Sequence, residues 1–266
     1  MKLSISNIAW SAENDKFVYA MMKEYGFTGL EIAPTRIFPN EPYSQLDIAK
    51  KWSQNLNCVY GFCVPSMQSI WYGKNEHIFA SEDERNSLVQ YTKQAIEFAE
   101  AVGCKNLVFG CPRNRIIPEN MEKTKACDIA VKFFKELGEY AVLHNTVIGI
   151  EANPAIYNTN FINTTASALE LISAVGSKGF RLNLDVGTMI YNKESLDVLN
   201  DNVLLINHVH VSEPYLKPVQ KRNLHFDLIT MLANVGYNGN ISIEMGKTDD
   251  MDVLKETMCY VKDVVG

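Results

Sequence analysis

Eight short runs rich in β-branched, aromatic and aliphatic residues recur along the chain: LSISNIAW, GLEIAP, CVYGFCVP, NLVFG, VIGIEAN, RLNLDVG, LINHVHVSE and NISIEMG. Longer stretches with charged residues at helical spacing separate them. EDERNSLVQYTKQAIEFAEAVG, for example, opens after Ser81 as a cap and closes on Gly103. Alternation of this kind predicts a parallel sheet with helical crossovers. No linker rich in Pro, Gly or Ser and no low-complexity segment divides the units, so they are expected to form one object. Eight similar units favour closure into a single-domain α/β fold, a (β/α)₈ TIM barrel spanning residues 1–266. That length is close to the ~250 residues usual for such a barrel. An open doubly wound sheet is the rival, but no G-x-G-x-x-G turn follows the first run to support it.

Composition narrows the function classes. Asn, His, Glu or Asp interrupts every apolar run long before the ~20 residues of a membrane helix. The N-terminus MKLSISNIAW reads as a buried first strand and not as a signal peptide, so a soluble, cytoplasmic protein is expected. Six scattered cysteines form no C-x-x-C pair, which argues against a zinc ribbon, a redox motif or a disulfide framework. A net charge of −6 lacks the basic footprint of a nucleic-acid binder. Self-association into a homo-oligomer stays open.

Glu151, Asp185, His210 and Glu244 carry the strongest functional signal. Each ends one of the last four strand candidates, at separations of 34, 25 and 34 residues, so all four are expected on one rim of the barrel. Residues two apart in a strand share a face. Gly149 and Glu151 therefore oppose Ile148 and Ile150, and Asn183 and Asp185 oppose Leu182 and Leu184. His208 and His210 oppose Val209 and Val211; Ser242 and Glu244 oppose Ile241 and Ile243. With the aliphatic face against the helices, three carboxylates and an imidazole converge on the axis. Such a cluster either takes up protons or binds a cation. One divalent metal ion is the expected answer: Mn²⁺ first, with Mg²⁺, Co²⁺ and Zn²⁺ suiting the same donors. Taken singly, an acidic residue at a strand end caps a helix or pairs with a lysine just as well. His208, one layer deeper, reads as a hydrogen-bonded interior residue and not as a ligand.

The segments IGIEANP with the later NTNFINT, LNLDVGT, HVHVSEP and GYNGNISIEMG occur in an order and spacing that resemble the xylose-isomerase-like barrel superfamily. That superfamily includes sugar isomerases, ketose 3-epimerases, hydroxypyruvate isomerases, inosose dehydratases and endonuclease IV, and the resemblance covers nearly the whole chain. In ketose 3-epimerases the residues matching Glu151, Asp185, His210 and Glu244 bind one metal ion, and the two glutamates also move protons. The resemblance therefore implies a metal-dependent sugar isomerase or ketose 3-epimerase acting through an enediolate on a small carbohydrate or its phosphate. An inosose-dehydratase-like lyase and a non-catalytic sugar-binding barrel are the alternatives. One departure stands out: Thr188 occupies the place where the family often has a substrate-touching histidine. The three-metal site of endonuclease IV needs more histidines than the five present supply.

Loops after the strands add substrate-binding candidates. Trp71 in SMQSIWYG is placed to cover a sugar ring, or else simply packs. Arg113 and Arg115 in FGCPRNR would clamp a phosphate or carboxylate, or else pair with protein carboxylates. EPYLKPVQKR contributes Glu213 and Lys217, the lysine lying near a position that holds a substrate-binding basic residue in 3-epimerases. Glu31 in GLEIAP reads as structural, and the loop PTRIFPNEPY with Arg36 as specificity-setting or dimer-forming.

Overall fold

In the computed structural model, which describes residues 1–266, seven parallel strands form a curled sheet. They are β1 (Lys2–Ser6), β2 (Gly29–Glu31), β3 (Leu107–Phe109), β4 (Ile148–Glu151), β5 (Phe180–Asp185), β6 (Ile206–Val211) and β7 (Asn240–Ile243). Their order across the sheet is β2-β1-β7-β6-β5-β4-β3, so the first and last strands are neighbours. The helices are α1 (Asp15–Tyr25), α2 (Pro34–Ile37), α3 (Leu46–Tyr60), α4 (Glu82–Val102), α5 (Lys123–Leu143), α6 (Thr165–Val175), α7 (Val186–Asn192), α8 (Asn223–Asn234) and α9 (Met251–Val265).

The helix ends follow from local chemistry. Ser81 accepts a hydrogen bond from the Glu84 N–H at the start of α4, and Gly103 closes that helix in the left-handed conformation, donating to Ala99 and Glu100 carbonyls. Thr164 and Ser167 form a reciprocal capping box on α6. No helix is long and apolar enough to cross a membrane.

The expectation of a strand over CVYGFCVP is corrected. Residues 58–60 belong to α3, which ends at Gly61 with φ 75°. Pro65 then has no N–H to give a ladder. The segment from Cys63 to Met67 nonetheless lies between β2 and β3, joined by isolated bridges of Cys63 to Gly29 and of Met67 to Ile32 and Leu107. Leu30 N–H donates to the Cys63 carbonyl at 2.9 Å and Val108 N–H to that of Met67 at 2.8 Å. The eighth position of the ring is thus filled by a bridged segment in place of a strand.

Sixty-nine buried apolar residues form one cluster between sheet and helices. The inside of the curl is polar by contrast: Ser4, Glu31, Asn106, Asn183, His208 and Ser242 are all buried there. Small side chains leave room for this layer. At Gly149 an added Cβ would stand 2.5 Å from the Asn106 Oδ1 and 3.1 Å from the Asn183 Cβ, so no larger residue fits unless these move.

Candidate metal centre

Strand register brings the chemistry together. Glu151 ends β4 beside Asn183; Asp185 ends β5 beside His210; His210 in turn neighbours Ser242 on β7. Glu244 follows β7 directly, and its N–H donates to the Val211 carbonyl at 3.1 Å. The intervening Ile148, Ile150, Leu184, Val209 and Ile243 are buried in the apolar cluster, as period-two alternation requires. A register shift between Leu182 and Asn183 sets Asn183 against His208 and Asp185 against His210.

The imidazole Nδ1 of His210 lies 3.0 Å from the Glu151 Oε2 and 3.3 Å from the Glu244 Oε2. Ligands held at about 2.1 Å from one ion and subtending roughly 90–110° stand about 3.0–3.4 Å apart. One atom from each of the three side chains lies within 4.8 Å of the others, so Glu151, His210 and Glu244 fit a divalent ion by spacing and by donor chemistry. Asp185 lines the same cavity but stands outside that triplet. Its Oδ2 accepts the Thr188 N–H at 2.8 Å, and Ser212 hydrogen-bonds its Oδ1. Each carboxylate oxygen has two lone pairs, so Asp185 keeps acceptor capacity toward the cavity.

On the far side of the ring, His210 Nε2 donates to the Glu31 Oε2 at 3.0 Å, and His208 Nε2 reaches the same oxygen at 2.9 Å. One carboxylate thereby receives two imidazole N–H groups, while its Oε1 accepts from Gln68 Nε2. Burial opposes a charge on His210, but Glu244, Glu31 and Glu151 outweigh it and raise its pKa well above the usual 6.5. Since Glu31 retains the Nε2 proton, the proton that a cation displaces is the one on Nδ1. For Glu31 burial again pushes upward, and the two histidines reverse the effect and hold its carboxyl well below its ordinary range. His208 moves the other way: burial outweighs Glu31 and lowers it.

Glu151 and Glu244 meet different surroundings. Glu151 accepts from Asn153 Nδ2 at 2.9 Å and Asn183 Nδ2 at 2.8 Å as well as facing His210. Arg115 braces this arm, donating to the Glu151 carbonyl, to Asn153 Oδ1 and to the Ile162 carbonyl. Glu244 has only His210 as a side-chain partner; burial first, then Glu151 and Asp185, push its carboxyl up to about 7 against the pull of His210. A carboxyl near neutrality suits proton transfer.

The acidic groups open into a cavity of about 170 Å³, walled also by Gln68, Ser69, Gly110, Cys111, Asn153 and Tyr157. Tyr157 accepts the Tyr215 N–H at 2.9 Å, and its hydroxyl proton has no acceptor in the chain. A larger cleft of about 940 Å³ alongside is walled by Arg36, Glu41, Tyr43, Lys74 and Tyr91, and none of the four expected ligands reaches it.

The loop candidates separate. Trp71 does not cover the cavity: it is 3% exposed, packs edge-on against Phe109 and Phe133, and donates to Thr92 Oγ1 at 2.9 Å. Arg115 is fully buried and braces Glu151 from behind, because the turn Pro112–Arg115 directs it inward. Glu213 lines the cavity, yet both its oxygens are taken by Arg222 at 2.7 and 2.6 Å. Lys217 is exposed, with its ammonium 5.9 Å from the Tyr215 ring, and lies off the cavity wall. Arg113 is exposed in a neighbouring groove. Thr188 Oγ1 is 2.7 Å from both the Ala152 carbonyl and Asp185 Oδ2, so it supports a wall of the site. Arg36 pairs with Asp15 at 2.7 Å.

The sequence gives no functional role to Asn153, Ser212 or Tyr157 and places Asn183 only on the inward face, although Asn153 and Asn183 lie two residues from Glu151 and Asp185 and share their faces by parity.

Known proteins carry the same architecture. The sequence model described as "xylose isomerase-like TIM barrel" matches residues 19–263. A probable ketose 3-epimerase of Synechocystis sp. is 24% identical over 213 residues, 78% of this chain and 70% of that protein. The crystal structure of D-psicose 3-epimerase from Clostridium cellulolyticum H10 with D-tagatose superposes with a TM-score of 0.80 at 16% identity, covering 100% of this chain and 98% of that one. That of the IolI protein with a bound zinc atom superposes with a TM-score of 0.73 at 17% identity, covering 100% and 98%.

Proposed function

Because the chain belongs to the xylose isomerase-like TIM-barrel family, we propose that it is a divalent-metal-dependent isomerase, a single barrel over residues 1–266 that moves a proton on a small keto sugar. One observation carries the reading. Glu151, His210 and Glu244 converge at metal-ligand spacing, and the two glutamates, with Asp185, line a cavity of about 170 Å³, which is monosaccharide-sized. The curated relative is a probable ketose 3-epimerase, which favours epimerisation beside a carbonyl.

Glu151, Asp185, His210 and Glu244 would hold the ion, and Mn²⁺ is the ion we assign to this oxygen-rich set. When bound, it polarises neighbouring oxygens of a hydroxy-ketone and makes the adjacent C–H acidic. Glu151 and Glu244 approach from β4 and from the end of β7, with β5 and β6 between them. One removes the proton to leave an enediolate, and the other returns a proton from the opposite side, inverting the carbon. The different surroundings give them different readiness: Glu151 is held by two amide donors, while Glu244 is not. Tyr157 offers its free O–H to a substrate oxygen.

The test is hydrogen–deuterium exchange into a panel of ketoses and inososes by metal-loaded protein. Exchange at the carbon beside the carbonyl is expected. An unsaturated diketone product would move the protein to the lyases, and absence of both exchange and stoichiometric metal would leave a sugar-binding barrel.

A further inference from the structure

The charged groups lining the reaction cavity are Glu151, Asp185, Glu213 and Glu244, all acidic, with no lysine or arginine among its wall residues. With Glu151, Asp185 and Glu244 committed to the ion and Glu213 to Arg222, no basic side chain lines the cavity to receive a phosphate dianion, so the end of the substrate that reacts there is uncharged. The opposite sign appears one wall away. A groove of about 800 Å³ shares Ser69, Cys111 and Pro112 with the cavity, and it is lined by the basic residues Lys74, His77 and Arg113 and by no acidic one.

The cations around the mouth differ in what they already hold. Arg36 is paired with Asp15, Lys74 with Glu76 and Arg222 with Glu213, while Arg115 is spent on Glu151, Asn153 and Ile162. Arg113 makes no hydrogen bond or ion pair within the chain and is exposed. Its direction is built in. Cys111 takes a left-handed conformation, φ 41°, and Pro112 starts a short 3-10 turn that buries Asn114 and Arg115 and leaves Arg113 outward. Asn114 then ties the opposite wall to the same turn: its Nδ2 donates to the Lys74 and Glu76 carbonyls at 3.1 and 2.8 Å, and its own carbonyl accepts the Ile78 N–H at 2.9 Å. Lys74 and His77 are thereby held in fixed relation to Arg113. Two acids stand beside the groove without lining it: Glu84 Oε2 accepts the His77 backbone N–H at 2.9 Å, and Glu76 faces Lys74 Nζ, Ser87 Oγ and the Asn75 N–H.

We infer that this groove is an anion subsite in which Arg113, with His77, binds a phosphate group carried by the keto sugar whose other end reacts among Glu151, His210 and Glu244. The inference rests on the isomerase reading for its substrate and adds the phosphate. A guanidinium offers a planar pair of donors matched to phosphate oxygens, and an unpaired one avoids the cost of first breaking an ion pair. Ser69, Cys111 and Pro112 wall both the cavity and the groove, so the two spaces adjoin, and a substrate lying along Pro112 would present one end to each. The arrangement sorts substrate by charge: the acidic floor rejects the phosphorylated end and the basic groove receives it, which fixes which end of the sugar is deprotonated.

The test titrates inorganic phosphate into Mg²⁺-loaded protein while the His77 ring resonances are followed by NMR. A saturable shift is expected, weakened roughly ten- to a hundredfold in Arg113→Ala and partly recovered in Arg113→Lys. Acetate at equal ionic strength should give no saturable shift. A shift that persists unchanged in Arg113→Ala places the phosphate elsewhere and overturns the proposal, as does the absence of any saturable shift. Equal saturation by acetate overturns the choice of phosphate. In a parallel arm, the advantage in kcat/KM of a ketose phosphate over the same ketose should shrink in Arg113→Ala. If neither sugar exchanges protons, the isomerase reading fails, and the phosphate titration still decides the subsite.

Discussion

Glu31 and His210 meet across the barrel axis: the carboxylate Oε2 accepts the imidazole Nε2–H at 3.0 Å, on the opposite side of the ring from the Nδ1 that faces Glu151 and Glu244. This pairing fixes which nitrogen is available to a cation. Glu31→Gln keeps the shape but removes the charge, and metal affinity is expected to fall about 10- to 100-fold. Titration against a competing chelator measures it; an unchanged affinity would remove Glu31 from the site.

Glu244 has no amide donors to hold its charge, and its carboxyl lies near neutrality. Glu244→Gln is expected to lower C–H exchange by at least about a hundredfold. Mn²⁺ binding, followed by electron paramagnetic resonance, should weaken but survive through Glu151, Asp185 and His210. Wild-type exchange in this variant with metal bound would end the proton-transfer role.

The contribution of Glu244, Asp185 and His210 to the stability of the metal-free protein should fall as pH rises, while the depressed His208 and His225 act in the opposite sense up to about pH 6.5. Glu244 and Asp185 have folded pKa values raised above their unfolded ones, so folding binds protons that must leave above about pH 4.5, and this cost grows until the folded values are passed. His210, also raised, contributes stability that is complete below about pH 6.5 and is lost as pH climbs through its folded value. Glu31, depressed, is already ionised throughout that range. A metal ion takes the place of the protons, so the gain in Tm on adding Mn²⁺ should widen between about pH 5 and pH 8. Thermal unfolding with and without chelator reads the difference, and a gain that narrows with pH contradicts the assignment.

Arg115 is a brace, and its loss should register in both stability and metal binding. Arg115→Met leaves the Glu151 carbonyl, Asn153 Oδ1 and the Ile162 carbonyl short of a buried donor, at a cost of about 3 kcal/mol or more. Urea unfolding is the measurement. Arg115→Lys should recover only part of it, because a single ammonium cannot reproduce the fork that spans these acceptors.

Much of the site was legible before any coordinates. Glu151, Asp185, His210 and Glu244 fall at the same phase of four similar units, and period-two alternation sends all four inward, as the structure has them. His208 and Glu31 read as interior residues and are fully engaged with each other. The loop residues were less legible, since a loop has no period to fix a side chain's direction. Trp71, open from the sequence to covering a sugar or to packing, packs in the core; Arg115, open to clamping substrate or to pairing within the protein, supports Glu151 from behind; only Arg113 of the two arginines faces outward. The strand expected at CVYGFCVP lost its first three residues to α3 and its ladder to Pro65.

By itself the sequence determined the parallel α/β architecture, the polar inner face of the sheet and the identity of the acidic and imidazole side chains on it. These follow from local periodicity, which neighbouring residues along the chain suffice to set. Only the tertiary structure decided that three of those groups meet at ligand spacing while Asp185 stands back, that Glu31 claims the outer nitrogen of His210, and that the acidic cavity adjoins a basic groove. Those relations join residues far apart in the chain, 179 positions in the case of Glu31 and His210, and distances of that kind are settled by how the curled sheet packs.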